Sequence, residues 1–415
     1  MNYIEGLGQK AQKAKKSLAT ASTGQKNEIL TRIAAKLLEN QEQILADNEK
    51  DIANARENGI SETMVDRLRL TPERIQGISD ACIQLTNLED PVGEIIEGST
   101  RPNGMKISKI RVPMGVVGII YESRPNVTVD AASLCIKSGN AAILRGGKEA
   151  ICSNKVLMNT MREAVAQCGF PEDIVQLVED TSREVSTQMM QANGLIDVLI
   201  PRGGAGLIQA VVKNATLPVI ETGTGNCHIY VDATADLAMA VNITDNGKTQ
   251  RPSVCNALET CLVHKDVAEE FLPMLKAKLD EHQVEIRGCE RTAAILGDCV
   301  VPATEQDYAT EFLDYIISIK VVDSVEEAIA HVSKYSTGHS ECIVTESYAN
   351  ARKFQEEVDS ACVYVNCSTR FTDGGEFGLG AEIGISTQKL HARGPMGLKE
   401  LTTMKYLICG DGQIR

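Results

Sequence analysis

From residue 115 onward, short apolar runs alternate with longer amphipathic segments, and this alternation limits the possible folds more than any other feature of the chain. In a first series, the apolar runs lie at 115–121, 141–144, 174–178, 196–200 and 228–231. Helix-like segments of roughly ten to twenty residues separate them. Strands that alternate with helices in this way are typical of a parallel sheet covered by helices.

A second series of the same kind follows the first. Its predicted strands lie at 259–263, 316–321, 341–344 and 362–366, and its predicted helices lie at 266–281, 324–334 and 347–358. A chain of 415 residues is also too long for a single compact core. We therefore expect two parallel-sheet α/β domains, with the break between the two series near residues 232–240.

The residues before 115 predict helices and then an exposed strand. Apolar residues recur at intervals of three and four through residues 1–60, and Thr71, Pro72 and Glu73 are typical of a helix start. Residues 105–112 alternate apolar and polar side chains, as a half-exposed strand does. This strand is either an arm that reaches a partner subunit or a plain surface hairpin, and the pattern alone favours neither.

Composition excludes several classes of function. A net charge of −14 disfavours a nucleic-acid partner, because such binding needs a clustered basic surface. The apolar run 116–120 is too short to span a bilayer, and the first residues lack the pattern of a signal peptide. The 13 cysteines are odd in number, scattered and without a metal-ligand spacing. We expect a cytoplasmic protein with no membrane segment and no metal.

Two glycine clusters follow predicted strands and suggest a phosphate-bearing cofactor. One is Arg202-Gly203-Gly204, which leads into a helix-like segment, and the other is Arg145-Gly146-Gly147-Lys148. A glycine turn between a strand and a helix lets a phosphate approach free backbone N–H groups at the positive end of the helix. Each cluster taken alone is more often a tight turn than a binding site.

Cys255 is the candidate nucleophile among the cysteines. It lies in a polar turn with Pro252 and Ser253, just ahead of the predicted strand at 259–263. Cys227 is the second candidate, and we interpret it as structural. Glu221, which ends an apolar run and precedes a flexible glycine segment, is either a general acid/base or a cap for nearby backbone.

Together these segments resemble the aldehyde dehydrogenase superfamily, and within it the γ-glutamyl phosphate reductases. The resemblance covers essentially the whole chain in the expected order, and it is carried by the segments 121–128, 139–147, 221–228, 250–256 and 378–397. It implies a cofactor-binding α/β domain from residues 1–99 and 113–233, a catalytic α/β domain from 234–368, and an oligomerisation ribbon and tail from 100–112 and 385–415.

The resemblance also implies catalytic roles. Cys255 matches the superfamily's nucleophile, and Asn126 matches the asparagine whose amide forms the oxyanion hole with a backbone N–H. Glu221 matches the position of the general base, which is unwelcome in a reductase because water would destroy the thioester.

The implied cofactor is NADP, as NADPH. Arg145 matches a lysine that contacts the adenosine ribose, and Glu311 falls near the acid that holds the nicotinamide ribose. Lys148 stands where NAD-selective members often have glutamate, so its charge favours a 2′-phosphate. The rest of the expected cofactor set is Gly146, Gly147, Arg202, Gly203 and Gly204.

The implied reaction is the second step of proline biosynthesis. L-Glutamyl 5-phosphate would acylate Cys255, and NADPH would reduce the thioester to L-glutamate 5-semialdehyde. Lys248 and Arg251, just ahead of Cys255, are candidates to bind the departing phosphate. We also expect a homo-oligomer and a transient contact with glutamate 5-kinase. The alternatives are a hydrolytic aldehyde dehydrogenase, in which Glu221 activates water, and a non-catalytic relative of the same fold.

Overall fold

The structure, a computed structural model, describes residues 2–415 except for the side chain of Thr63. The chain divides into two compact units. The first unit comprises the residues up to Thr222 together with Gly378–Gly384 and Met396–Arg415. The second unit comprises Gly223–Phe377 and Ile385–Pro395. The cofactor-binding and catalytic roles that the sequence assigns to its domains stay predictions.

Helices open the first unit, and elements are numbered in chain order. They are α1 (Tyr3–Ala19), α2 (Thr23–Glu39), α3 (Gln41–Glu57), α4 (Glu62–Leu68) and α5 (Pro72–Asn87). The predicted start of α5 is confirmed, because Thr71 is its N-cap and the Thr71 side chain accepts a hydrogen bond from the N–H of Arg74.

An antiparallel ribbon follows, and the tail of the chain completes it. Its strands are β1 (Ile95–Thr100), β2 (Lys106–Pro113) and β16 (Thr402–Cys409), with β2 in the centre. The predicted strand at 105–112 is therefore confirmed as a ribbon strand. Every residue of β1 is exposed, and so is every residue of β16 after Thr402.

A four-stranded parallel sheet forms the centre of the first unit. Its strands are β3 (Val116–Tyr121), β4 (Ala141–Arg145), β5 (Val175–Leu177) and β6 (Val198–Arg202), in the order β5-β4-β3-β6. The helices of this region are α6 (Asn126–Lys137), α7 (Ile151–Gln167), α8 (Arg183–Met190) and α9 (Ala205–Asn214). All residues of β3 are buried, which explains its unbroken apolar run.

A seven-stranded parallel sheet forms the second unit. Its strands are β7 (Cys227–Val231), β8 (Leu258–His264), β9 (Glu285–Gly288), β10 (Val301–Pro302), β11 (Ile316–Val322), β12 (Ser340–Val344) and β13 (Cys362–Val365), in the order β10-β9-β11-β8-β7-β12-β13. The helices are α10 (Leu237–Thr249), α11 (Lys265–Asp280), α12 (Glu290–Leu296), α13 (Glu305–Tyr308), α14 (Val325–Tyr335) and α15 (Tyr348–Glu357). Two short strands, β14 (Ile385–Ser386) and β15 (Gly394–Pro395), pair separately.

Two parallel sheets and a ribbon were expected, and that prediction is confirmed. The sheet assigned to residues 228–231 was wrong, because β7 lies between β8 and β12 in the second sheet. The change of sheet therefore precedes β7 and does not fall near 232–240. An apolar run shows that a strand is buried, but it carries no information about which core receives it. Within residues 2–415, no helix has both the length and the apolar character needed to cross a membrane.

Candidate active site

Cys255 lies in the turn between α10 and β8, and its backbone is held against Gly225. The Cys255 side chain is half-buried. A Cβ atom added to Gly225 would lie 1.4 Å from the carbonyl oxygen of Cys255, so no other residue fits here without moving the turn. The thiol of Cys227 donates to the same carbonyl oxygen at 3.2 Å. Gly225 and Cys227, at the start of β7, therefore pack against the backbone of the predicted nucleophile.

The segment around Gly225 is itself fixed by hydrogen bonds. The N–H of Gly225 donates to Oε1 of Glu311 at 2.7 Å. The N–H of Asn226 donates to the Thr337 hydroxyl, and its side-chain amide donates to the carbonyl oxygens of Tyr308 and Tyr335. Because these hydrogen bonds hold Gly225 and Asn226 in place, the Cys255 backbone that packs against Gly225 has little freedom to shift.

A buried charge cluster includes Lys248, one of the two predicted phosphate ligands. Lys248 Nζ lies 2.6 Å from Glu259 Oε2, and both side chains are fully buried. Burial lowers the pKa of Lys248 and raises that of Glu259, and the charge of each partner opposes the shift of the other. Burial also raises the pKa of Glu311. A direct contact between Lys248 and a phosphate would require the lysine to leave Glu259.

Most other thiols of the chain are poor nucleophiles because burial raises their pKa and keeps them protonated. Burial raises the pKa of Cys135 and Cys342 to about 12 and that of Cys227 well above its usual range. Cys289 differs: burial would raise its pKa, but hydrogen bonds from Thr292 and from backbone N–H groups outweigh burial and lower it. Cys289 can therefore compete with Cys255 for alkylating reagents, as can the exposed thiols of Cys299 and Cys409.

Arg370 lies near Cys255, and the sequence did not single it out. It belongs to a short 3-10 turn, Thr369–Phe371, after β13, and its carbonyl oxygen accepts a hydrogen bond from Asn256. The predicted ligand Arg251 is exposed and interacts electrostatically with Arg370. Ligands of parallel α/β sheets bind beyond the carboxyl ends of the strands, and that rule was the available signal for Arg370.

In the first unit, Asn126 begins α6 and is oriented by Asp130. The Asn126 amide donates to Oδ2 of Asp130 at 2.9 Å, across one helical turn. Burial raises the pKa of Asp130 to about 6, although the hydrogen bond from Asn126 and the charge of Arg202 lower it. An amide has two N–H donors, so this contact leaves the other available to a ligand. Asp130 was missed, and its spacing of four from Asn126 was the signal.

Glu221 lies in a short extension beside β6. The N–H of Ile220 donates to the carbonyl oxygen of Leu199, and the Thr222 hydroxyl donates to that of Pro201. Glu221 is half-buried between these two anchored residues. Asn126, Glu221 and the predicted cofactor residues other than Glu311 belong to the first unit, whereas Cys255 and Glu311 belong to the second.

The two predicted cations near a cofactor differ in their surroundings. Nη2 of Arg145 donates to the carbonyl oxygens of Thr181 and Ser182, while its Nε is buried and makes no hydrogen bond. Burial lowers the pKa of Arg145. Lys148 is exposed, and it forms no ion pair with any residue from 2 to 415. A phosphate-bearing nucleotide fits this pair, because one donor and one positive charge remain unmatched.

The four predicted cofactor glycines are explained in part by internal packing. A Cβ on Gly146 would lie 2.2 Å from Asn154, one on Gly147 would lie 2.7 Å from Glu149, and one on Gly203 would lie 2.6 Å from Glu122. The N–H of Gly204 donates to Oε2 of Glu122 at 3.0 Å. Any phosphate that binds this N–H at the start of α9 must therefore displace the Glu122 carboxylate.

Comparison with known proteins identifies the family. The sequence matches the aldehyde dehydrogenase family over residues 3–297 and 300–407. It is 58% identical, over the full length of both chains, to a gamma-glutamyl phosphate reductase of Carboxydothermus hydrogenoformans. The crystal structure of gamma-glutamyl phosphate reductase from Thermotoga maritima is 52% identical, covers 100% of both chains and superposes with a TM-score of 0.98.

A more distant structure shares the fold alone. It is an engineered glycolyl-CoA reductase with bound NADP⁺, which is 16% identical, with a TM-score of 0.69, and covers 98% of this chain and 96% of its own. The full-length matches are decisive. The chain belongs to the aldehyde dehydrogenase family, and within that family to the gamma-glutamyl phosphate reductases.

Proposed function

We propose that this chain reduces L-glutamyl 5-phosphate to L-glutamate 5-semialdehyde and phosphate, the second step of proline biosynthesis, through a thioester on Cys255. The observation that carries the proposal is the anchored, half-buried Cys255 turn in a chain that matches gamma-glutamyl phosphate reductases over its full length. A fixed, partly accessible thiol suits a nucleophile, whereas the buried thiols of this chain suit packing.

The first chemical step is acyl transfer to sulfur. The Cys255 thiolate attacks the carbonyl carbon of the acyl phosphate, a C–S bond forms, and the bond to the phosphate oxygen breaks. The tetrahedral oxyanion needs hydrogen-bond donors, and we assign that role to the Asn126 amide and the backbone N–H of Cys255. Asp130 is then a positioning residue, because it fixes the direction of the Asn126 amide.

The second step needs a nicotinamide cofactor, which supplies hydride to the thioester when it is bound. NADPH is the form we propose, with Arg145 and Lys148 as the cations that hold it. Carboxylates crowd this region too, since Glu122 contacts Gly204 and Ser123 donates to Glu149. Lys148 has no ion-pair partner among residues 2–415, and we propose that its positive charge attracts the 2′-phosphate despite these nearby carboxylates. We assign Glu221 and Glu311 to cofactor orientation and not to activation of water.

The ribbon supports a homo-oligomer. Its strands expose Ile95, Met404, Tyr406 and Ile408, which is unusual for apolar side chains in a protein that stays monomeric. We propose that this surface pairs with a second copy of the chain. A cytoplasmic location and a transient contact with glutamate 5-kinase also fit a reductase whose substrate is an unstable acyl phosphate.

Replacing Cys255 tests whether the reaction proceeds through a thioester on its sulfur. Cys255→Ser is expected to lower NADPH-dependent turnover by about a thousandfold or more, because a serine hydroxyl is far less nucleophilic than a thiolate. The measurement is NADPH consumption with acyl phosphate formed in situ. Cys289→Ser removes the thiol whose pKa hydrogen bonds lower, and it should keep wild-type turnover. Full activity in Cys255→Ser would rule out the assignment.

Asp130→Asn is expected to raise stability and lower activity. The pKa of Asp130 is raised from 3.8 to about 6, so its ionisation disfavours the folded state. This cost is absent below pH 3.8, grows as the pH rises toward 6, and amounts to at most about 3 kcal/mol above it, at 1.36 kcal/mol per pKa unit. Urea unfolding at several pH values measures the gain, which should shrink as the pH falls.

Turnover of Asp130→Asn should fall about tenfold or more, since the Asn126 amide loses its orienting carboxylate. The exposed Asp80→Asn is the control and should change neither quantity. An Asp130→Asn protein with unchanged stability at neutral pH and unchanged turnover would contradict this role.

Lys148→Glu is expected to weaken NADPH binding about tenfold or more, because a carboxylate repels the 2′-phosphate. NADH binding should change much less. Fluorescence titration of both nucleotides measures this without turnover. Lys10→Glu places the same charge change on an exposed position of α1 and serves as the control. Equal losses for NADPH and NADH would argue against a 2′-phosphate contact.

A further inference from the structure

One arginine lies in the turn that carries Cys255, and a second lies in a neighbouring turn that is hydrogen-bonded to it. Arg251 is exposed at the start of that turn, and Arg370 lies in the Thr369–Phe371 turn after β13. The second turn is bound to the first: the Asn256 amide donates to the carbonyl oxygens of Arg370 and Thr372 at 3.2 and 2.9 Å. The Thr369 hydroxyl donates back to the carbonyl oxygen of Asn256 at 2.9 Å. Arg370 is therefore fixed to the neighbour of Cys255.

The Arg370 side chain is oriented but only partly used. Its Nε donates to Oε1 of Gln250 at 3.0 Å, next to Arg251 in sequence. Among the residues that the structure describes, neither Nη nitrogen of Arg370 has a hydrogen-bond or ion-pair partner, and Arg251 has none. Burial and the charge of Arg251 lower the pKa of Arg370, while the Cys255 thiolate raises it. Arg251 and Cys255 therefore both lie within electrostatic reach of Arg370.

Two other cations of the second unit already have counter-ions. Lys248 pairs with Glu259, and Arg393 pairs with Asp359 at 2.9 Å. Arg251 and Arg370 instead repel each other, and Asp373 only partly offsets that repulsion at Arg370. Two neighbouring guanidinium groups with free N–H donors match a doubly charged oxyanion, because each presents a planar fork of donors to two oxygens.

We propose that Arg370, together with Arg251, binds the phosphoryl group of the acyl phosphate and holds it as it leaves. This inference rests on the proposed function. When the Cys255 sulfur bonds to the carbonyl carbon, the C–O bond to phosphate breaks and its electron pair stays on the phosphate oxygen. Charge on the leaving group grows in that step, so donors aimed at phosphate stabilise the transition state. In the reverse direction the same pair positions phosphate to attack the thioester.

The substrate's α-carboxylate is a second anion that a guanidinium binds. Phosphate is favoured for this pair because the pair is doubly charged and lies at the nucleophile. The phosphoryl group is attached to the very carbonyl that Cys255 attacks, whereas the α-carboxylate lies at the far end of the glutamyl chain.

Arg370→Gln tests the inference in the direction of semialdehyde oxidation. The KM for phosphate is expected to rise about ten- to a hundredfold, since a hydrogen bond between charged groups is lost. The KM for the semialdehyde should stay near its wild-type value. Arg370→Lys keeps the charge without the fork and should give an intermediate phosphate KM. Arg352→Gln, on exposed α15, is the matched control and should change neither constant.

A binding measurement complements the kinetics. Phosphate alone should slow alkylation of Cys255 by iodoacetamide in the wild type, and Arg370→Gln should need about tenfold more phosphate for the same protection. Arg251→Gln breaks no internal hydrogen bond and should also raise the phosphate KM, which keeps the test valid if Arg370→Gln folds poorly.

The outcomes separate this inference from the proposed function. Unchanged phosphate KM and protection in the arginine variants, with a wild type that requires phosphate, would overturn the inference alone. A selective rise in the KM for the semialdehyde would also overturn it and assign Arg370 to the α-carboxylate. A wild type that needs no phosphate would defeat the proposed function itself.

Discussion

The contact between Gly225 and the backbone of Cys255 is the constraint on which the second unit's site depends. A Cβ at Gly225 would overlap the Cys255 carbonyl oxygen, so two chain segments can meet here only because one of them is glycine. Glu311 and Asn226 fix the glycine segment, and Asn256 ties the Cys255 turn to the turn of Arg370. Hydrogen bonds between side chains and backbone therefore hold the segments on either side of the Cys255 turn.

The charged residues around this turn differ in burial. Lys248 and Glu259 form a fully buried pair, and such a pair offers little to a ligand because each partner already satisfies the other. Arg251 and Arg370 lie nearer the surface and retain free donors. The pairing of Lys248 with Glu259 is a contact that proximity in sequence could not show, and the roles of Lys248, Arg251 and Arg370 in phosphate binding stay predictions.

Local patterns predicted the parts of the molecule that local physics determines. The start of α5 at Thr71 and the ribbon strand β2 follow from capping and alternation, which depend only on neighbours in sequence. The sheet that receives β7 was not predictable, because strand order depends on long-range packing. The burial of Lys248 depends on packing that only folding creates, whereas the contact between Asn126 and Asp130 spans one helical turn and could have been predicted from their spacing. The identity of Cys255 as the candidate nucleophile came from its turn and from the family resemblance, and its catalytic role stays a prediction.

The central claim is that Cys255 passes an acyl group between phosphate and hydride while water is excluded. The most direct test is the rate of NADP reduction by L-glutamate 5-semialdehyde in the wild type, measured with and without phosphate. We expect negligible steady turnover without phosphate and a rate that saturates as phosphate is added, with glutamyl phosphate as the product. Equal turnover without phosphate, accompanied by free glutamate, would show that water resolves the thioester and would contradict the transfer of the acyl group to phosphate.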